Sequence, residues 1–187
     1  MVNNRAEAVE AALRTTRNVP NTCQLVTRGW FNAPSVGDFD GDGAADAEDG
    51  WKSEPVSARH SDRNPPAGVP VSYLGGSRDN GHRAISLGGG RIRSTDAGGS
   101  GVTATVDLAW PERAWGLKYV GWSETIDGIQ IPPVPPVPPV GPKTRGENVD
   151  EALKRLARAE KLAKDGTTRD TLIKRALAQL AKIKPTR

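Results

Sequence analysis

Pro132-Pro133-Val134-Pro135-Pro136-Val137-Pro138-Pro139-Val140 is a three-residue repeat that no helix or sheet interior accepts. Each proline fixes its own φ and removes a backbone donor, so the segment reads as a polyproline II rod of about 3.1 Å per residue. The chain of 187 residues is therefore expected in three parts: a domain over 1–131, a Pro-rich linker over 132–147 and a helical hairpin over 148–187.

The hairpin reading rests on Asn148-Val149-Asp150-Glu151, a capping box before Leu153, Leu156 and Leu162, and on Thr168, which opens a second apolar run through Leu172, Ile173, Leu177 and Leu180. About forty such residues bury little surface alone, so the hairpin is expected to dock on a copy of itself or on a partner. It is basic: residues 143–187 carry 13 Lys and Arg against 6 Asp and Glu, leaving 13 against 16 in the rest. Basic charge admits an anionic partner. No aromatic residues are interleaved with it, so nucleic acid is not the expected one.

No run reaches the roughly 18 apolar residues of a membrane span. Met1-Val2-Asn3-Asn4-Arg5 lacks the apolar core of a secretory signal, and one cysteine excludes an internal disulfide framework. Synthesis in a cytoplasm is the expectation.

Within 1–131 the periodicity predicts a helix over 3–17 through Ala6, Val9, Ala12 and Leu13. A second helix starts near Cys23 and buries Leu25, Val26, Trp30 and Phe31. The stretch 35–66 reads as loop. Five short strands follow, over 69–74, 82–87, 91–94, 102–106 and 117–122, separated by glycine or polar turns. Helices first and a strand meander afterwards predict an α+β domain.

Two residues carry the candidate chemistry. Cys23 stands at a helix start, where unpaired N–H groups favour a thiolate and can hold an oxyanion, the Cys23 amide among them. His82, 59 residues later, opens a strand in Gly81-His82-Arg83-Ala84-Ile85-Ser86-Leu87-Gly88-Gly89-Gly90. A thiol and an imidazole that meet in space are a nucleophile and its base. Trp51, Tyr73, Trp110, Trp115 and Trp122 are candidates for the wall of a substrate groove or for the core. His60, in a polar loop, is a bystander.

Between the two lies Asp38-Phe39-Asp40-Gly41-Asp42-Gly43-Ala44-Ala45-Asp46-Ala47-Glu48-Asp49. Carboxylates at loop positions 1, 3, 5, 9 and 12, glycine at 6 and a carbonyl at 7 match a Ca²⁺-binding loop, with Asp38, Asp40, Asp42, Ala44, Asp46 and Asp49 as ligands. Aspartate at position 12 reaches less far than the usual glutamate. Calcium here is expected to be structural.

Cys23 on a helix followed by an aromatic, then Pro65-Pro66-Ala67-Gly68-Val69-Pro70-Val71-Ser72-Tyr73-Leu74, then the Gly81-His82 strand with its glycine turn, resembles the CHAP and NlpC/P60 peptidases over roughly residues 5 to 127. The resemblance implies a papain-like domain that cleaves amide bonds in bacterial peptidoglycan, as a bacteriophage endolysin or virion-associated lysin acting at the cell wall. It also implies a polar residue after His82 on the next strand to orient the imidazole; Asp96 is the candidate, with Ser94 the other residue at about that distance. Asp-Cys-Ser-Gly, usual in NlpC/P60 proteins, is not the context of Cys23. The alternative is a virion or tail structural protein whose peptidase-like domain binds wall while residues 148–187 anchor it to other subunits.

Overall fold

The computed structural model describes residues 1–76 and 79–134, which lie in the first of the chain's two units, Met1–Pro135. From residue 135 onward the expected linker and hairpin lie outside the described residues.

Helix α1 (Arg5–Arg14) opens with a capping box: the Asn4 side chain accepts the N–H groups of Ala6 and Glu7, and Glu7 returns a bond to the Asn4 N–H. Helix α2 (Cys23–Trp30) and helix α3 (Ala47–Lys52) follow, then a single 3-10 turn, Val56–Ala58. Eight strands come next: β1 (Arg59–His60), β2 (Pro70–Leu74), β3 (His82–Gly88), β4 (Arg91–Ser94), β5 (Ala104–Asp107), β6 (Lys118–Ser123), β7 (Thr125–Ile126) and β8 (Ile129–Gln130). Helix α4 (Trp110–Trp115) interrupts them between β5 and β6.

Six strands form one antiparallel sheet in the order β1-β6-β2-β3-β4-β5, and β7-β8 is a separate hairpin. The domain is α+β. Strand alternation assigns the two faces of the sheet. Val71 pairs with Ala84 and Tyr73 with His82, so these four share one face; Pro70 pairs with Ile85 and Ser72 with Arg83 on the other. The first face carries a core of Val69, Val71, Tyr73, Ala84, Ile92, Leu117, Tyr119 and Trp122. On the second, Ile85 packs with Ala8, Ala12, Trp30, Phe31, Ile126 and Ile131. Burying one such side chain fully contributes roughly 1.5–3 kcal/mol, so two cores sharing one sheet hold β3 from both sides.

Several expectations are corrected. α1 buries Ala8 and Ala12, whereas Leu13 is 52% exposed, because two small residues let the helix lie close to Trp30 and Phe31. Leu25, expected in the core, is 56% exposed and lines the cleft described below. The stretch 35–66 is not all loop: it contains α3, the 3-10 turn and β1. Among the described residues no helix is long and apolar enough to cross a membrane.

Candidate active site

Cys23 is the first residue of α2 and is half-buried. The chain reaches it through Asn21, at φ 61°, and Thr22, whose side chain makes no capping bond. The Thr22 hydroxyl donates back to the Val19 carbonyl at 2.6 Å instead. No side chain therefore closes the first turn of α2, and the main-chain N–H groups of Arg83 and Gln24 are directed at the sulfur.

His82 is the first residue of β3 and is buried. Gly81 before it sits at φ 65°, and a Cβ there would lie 2.5 Å from the Tyr73 carbonyl oxygen, so the turn that aims His82 requires glycine. His82 Nε2 is 2.9 Å from the Ser94 hydroxyl, which lies 3.2 Å from the Thr95 carbonyl. A hydroxyl has one proton to give. Donating it to Thr95, Ser94 accepts the Nε2–H of His82, which leaves Nδ1 as the ring's acceptor. Among the described residues Nδ1 has no hydrogen-bond partner. The edge of Trp115 covers the ring at 4.9 Å between centroids, and Trp110 packs on Trp115 at 4.6 Å.

Both residues line one cleft of about 1140 Å³, with Asp46, Asp96, Arg28 and Trp115 among its other walls. Of the five aromatic candidates for that wall, Trp115 is the one that lines it. Tyr73 is buried, its hydroxyl donating to the Leu108 carbonyl; Trp51 lies under Arg59; Trp122 stacks on His60 at 3.9 Å, at the sheet edge.

Asp96 borders the cleft but does not hydrogen-bond His82. Its carboxylate accepts from Asn18 Nδ2 at 3.0 Å, the Gly101 N–H at 2.6 Å and the Asn21 N–H at 3.2 Å. The reason is where β4 stops. Ile85 pairs with Arg93, which sets Ser94 on the face of Ala84 and His82, whereas Asp96 lies beyond the strand in a left-handed turn at φ 58° that directs it to the loop before α2. Asp96 thus orders the approach to Cys23, and Ser94 takes the place beside the imidazole.

Burial dominates the protonation states. It pushes the Cys23 thiol up, against the smaller pull of the Arg83 and Gln24 N–H groups and with a further push from the charges of Asp46 and Asp96. It lowers His82 to about 4, opposed only by the charge of Asp96. At neutral pH the pair rests as a neutral thiol and a neutral imidazole, not as the thiolate favoured by helix start and imidazolium alone.

In the acidic loop, Asp38, Asp40 and Asp42 each offer an oxygen within 4.8 Å of the others. Asp38 accepts the N–H groups of Gly41, Asp42 and Gly43, which curls the loop around it. Asp46 and Asp49 are engaged elsewhere: they form the capping box of α3, and Asp49, buried, also accepts the N–H groups of Phe39 and Asp40. Ala44 donates its N–H to Asp42, and Lys52 sits 2.6 Å from Asp40 and 3.2 Å from Glu48. Three of the six expected ligands cluster, and three oxygens of that hardness suit a cation such as Ca²⁺.

Sequence reasoning missed one part of the site. Arg83, next to His82, is fully buried and pairs with Glu54 and Asp127, and Asp127 in turn binds Gln24, next to Cys23. The available signal was an arginine beside the apolar Ala84-Ile85 step of a strand flanked by glycines. Glu54 and Asp127 lie between elements and carry no local signal. The chain matches no family model, and comparison with curated proteins and with solved structures gives no match.

Proposed function

We propose that the domain is a papain-like cysteine hydrolase that cleaves an amide bond of peptidoglycan, with Cys23 as nucleophile and His82 as general base and acid. The observation that supports it best is that the chain's one thiol, at an uncapped helix start, shares a cleft with an imidazole whose far nitrogen is held by Ser94. As Cys23 Sγ attacks the carbonyl carbon, His82 Nδ1 takes the thiol proton. Because both groups rest neutral, proton transfer accompanies attack rather than preceding it. The oxyanion forms against the Cys23 N–H at the open turn of α2. His82 then protonates the leaving amine, and water, giving its proton to His82, hydrolyses the thioester and frees Cys23. Ser94 fixes the ring tautomer throughout. The peptide stems of a cell wall suit a cleft edged by both charge signs, Asp46 and Asp96 against Arg28.

The test is digestion of purified peptidoglycan, with the freed amine identified by mass spectrometry. New amine is expected from the wild type and none from Cys23→Ala; no new amine from the wild type on Gram-positive or Gram-negative walls contradicts the assignment.

Calcium is proposed at Asp38, Asp40 and Asp42, with the Ala44 carbonyl as a further ligand. A bound ion would offset two of the three negative charges and stiffen the connection between α2 and α3. Millimolar Ca²⁺ is expected to raise the wild-type Tm, and Asp38→Asn to abolish the rise; equal Tm values with calcium and with chelator remove the metal.

A further inference from the structure

Beneath the two cleft residues runs a set of buried polar side chains that the chemistry above leaves unused. Arg83 has no exposed surface. Its Nη1 lies 2.5 Å from Asp127 Oδ1, and its Nη2 donates to Glu54. Glu54 also accepts the Thr125 hydroxyl, the Asp127 N–H at 3.0 Å and the Gly128 N–H at 3.1 Å. Asp127 accepts Gln24 Nε2 on both oxygens, at 2.9 and 3.0 Å. Helix α3 presses directly on this set: a Cβ at Gly50 would fall 2.3 Å from Arg83 Nη1 and 2.6 Å from the Gln24 amide.

Stability alone is a poor reason for such an arrangement. Desolvating a guanidinium and two carboxyl groups costs several kcal/mol, and apolar residues of similar volume commonly serve a core as well. What apolar residues lack is direction. Gln24 follows Cys23 and Arg83 follows His82 in the chain. The circuit closes at the site: the Arg83 N–H is directed at the Cys23 sulfur, and the Thr27 hydroxyl, one turn further along α2, donates to the Arg83 carbonyl at 3.1 Å. Main chain and side chain of one arginine thus both tie α2 to the start of β3. A slip of α2 along β3 would break the Gln24–Asp127 and Thr27–Arg83 bonds together.

We propose that Gln24, Asp127, Arg83 and Glu54 are positioning residues, a buried network that fixes α2 against β3 and so sets the orientation of the Cys23 sulfur relative to His82 across the cleft they share. The network rests on the reading of those two residues as a catalytic pair, since only a reacting pair needs alignment of this kind.

The pH profile of Cys23 alkylation by iodoacetamide tests it in the full-length protein. The profile reports the setting of the sulfur whether or not any wall is degraded. Gln24→Met removes the tie to α2 while leaving both ion pairs of Arg83 in place. Asp127→Asn removes the charge that holds both Gln24 and Arg83. Each folded variant is expected to alkylate at a rate altered by about tenfold or more near neutral pH, with kcat lowered and KM unchanged on wall substrate. Ile131→Val, which trims the same side of the sheet without touching the network, is expected to keep the wild-type profile. If Asp127→Asn does not fold, Gln24→Met decides. A folded Gln24→Met protein whose profile overlays that of the wild type overturns the proposal. An altered profile in a protein that cleaves no wall upholds the positioning role and overturns the hydrolase reading instead.

Discussion

Helices α2 and α3 both begin at the edge of the same cleft, and they begin in opposite ways. α3 starts on Asp46, which accepts the N–H groups of Glu48 at 2.8 Å and Asp49 at 3.3 Å, while Asp49 returns a bond to the Asp46 N–H at 2.9 Å. α2 starts on Thr22, whose side chain gives the helix nothing. A side-chain cap contributes about 1 kcal/mol, so α2 forgoes a stabilisation that both α1 and α3 take. The open start is the one that carries Cys23. A capping oxygen would take the N–H groups of Gln24 and Leu25, and the Gln24 N–H is directed at the Cys23 sulfur instead. On the proposed reading, the sulfur stands where a cap would be.

If that contrast is sound, changes around the start of α2 alter reactivity and changes at the start of α3 alter stability. The largest effect expected on stability comes from His82, the buried histidine on the same cleft as the open start. Unfolded, its imidazole takes a proton near 6.5; folded, only near about 4. Between these values the unfolded chain binds more protons, so stability is full above about pH 6.5 and falls by up to about 3 kcal/mol as pH drops to about 4. Urea unfolding across that range, compared with His82→Gln, measures it: the variant should lose this slope, and equal slopes would mean that His82 is not buried as described.

Ser94→Ala should come next. It leaves the His82 Nε2–H without its partner and frees the ring to take the wrong tautomer, and a kcat lower by about tenfold, equivalent to about 1.4 kcal/mol, is expected. Asp96→Asn, which keeps the loop bonds in part, should do less. A larger loss from Asp96→Asn would return the orienting role to the aspartate. The smallest effects compare the two helix starts directly. Asp46→Ala should cost about 1 kcal/mol and Thr22→Ala only a few tenths, by thermal or urea unfolding. Equal losses would mean that α2 is capped after all.

Much of this site is legible in the sequence alone. The glycines around β3 and the Asn21-to-Gln24 helix start place His82 and Cys23 at the beginnings of two elements, because these signals act within a few residues. The third member is not legible there. Choosing between Ser94 and Asp96 depends on where β4 ends: the two would share one face of a continuing strand, and the turn after Ser94 takes Asp96 away from His82. α3 is hidden for another reason: six residues, Ala47–Lys52, are too short to show a helical period, and the Asp46–Asp49 capping box sits inside carboxylates spaced as for a metal. α4, also six residues, is hidden in the same way. Arg83, Glu54 and Asp127 meet from three distant segments, and no local pattern announces such a meeting.

Cys23 is the one cysteine of the chain, so a thiol reagent has a single target. Titrating the protein with iodoacetamide while following both the fraction of Cys23 modified and the release of amine from peptidoglycan puts the nucleophile to the test directly. Activity should fall in proportion to modification, and added wall fragments should slow both. Fully modified protein that still releases amine would show that the sulfur takes no part in the chemistry.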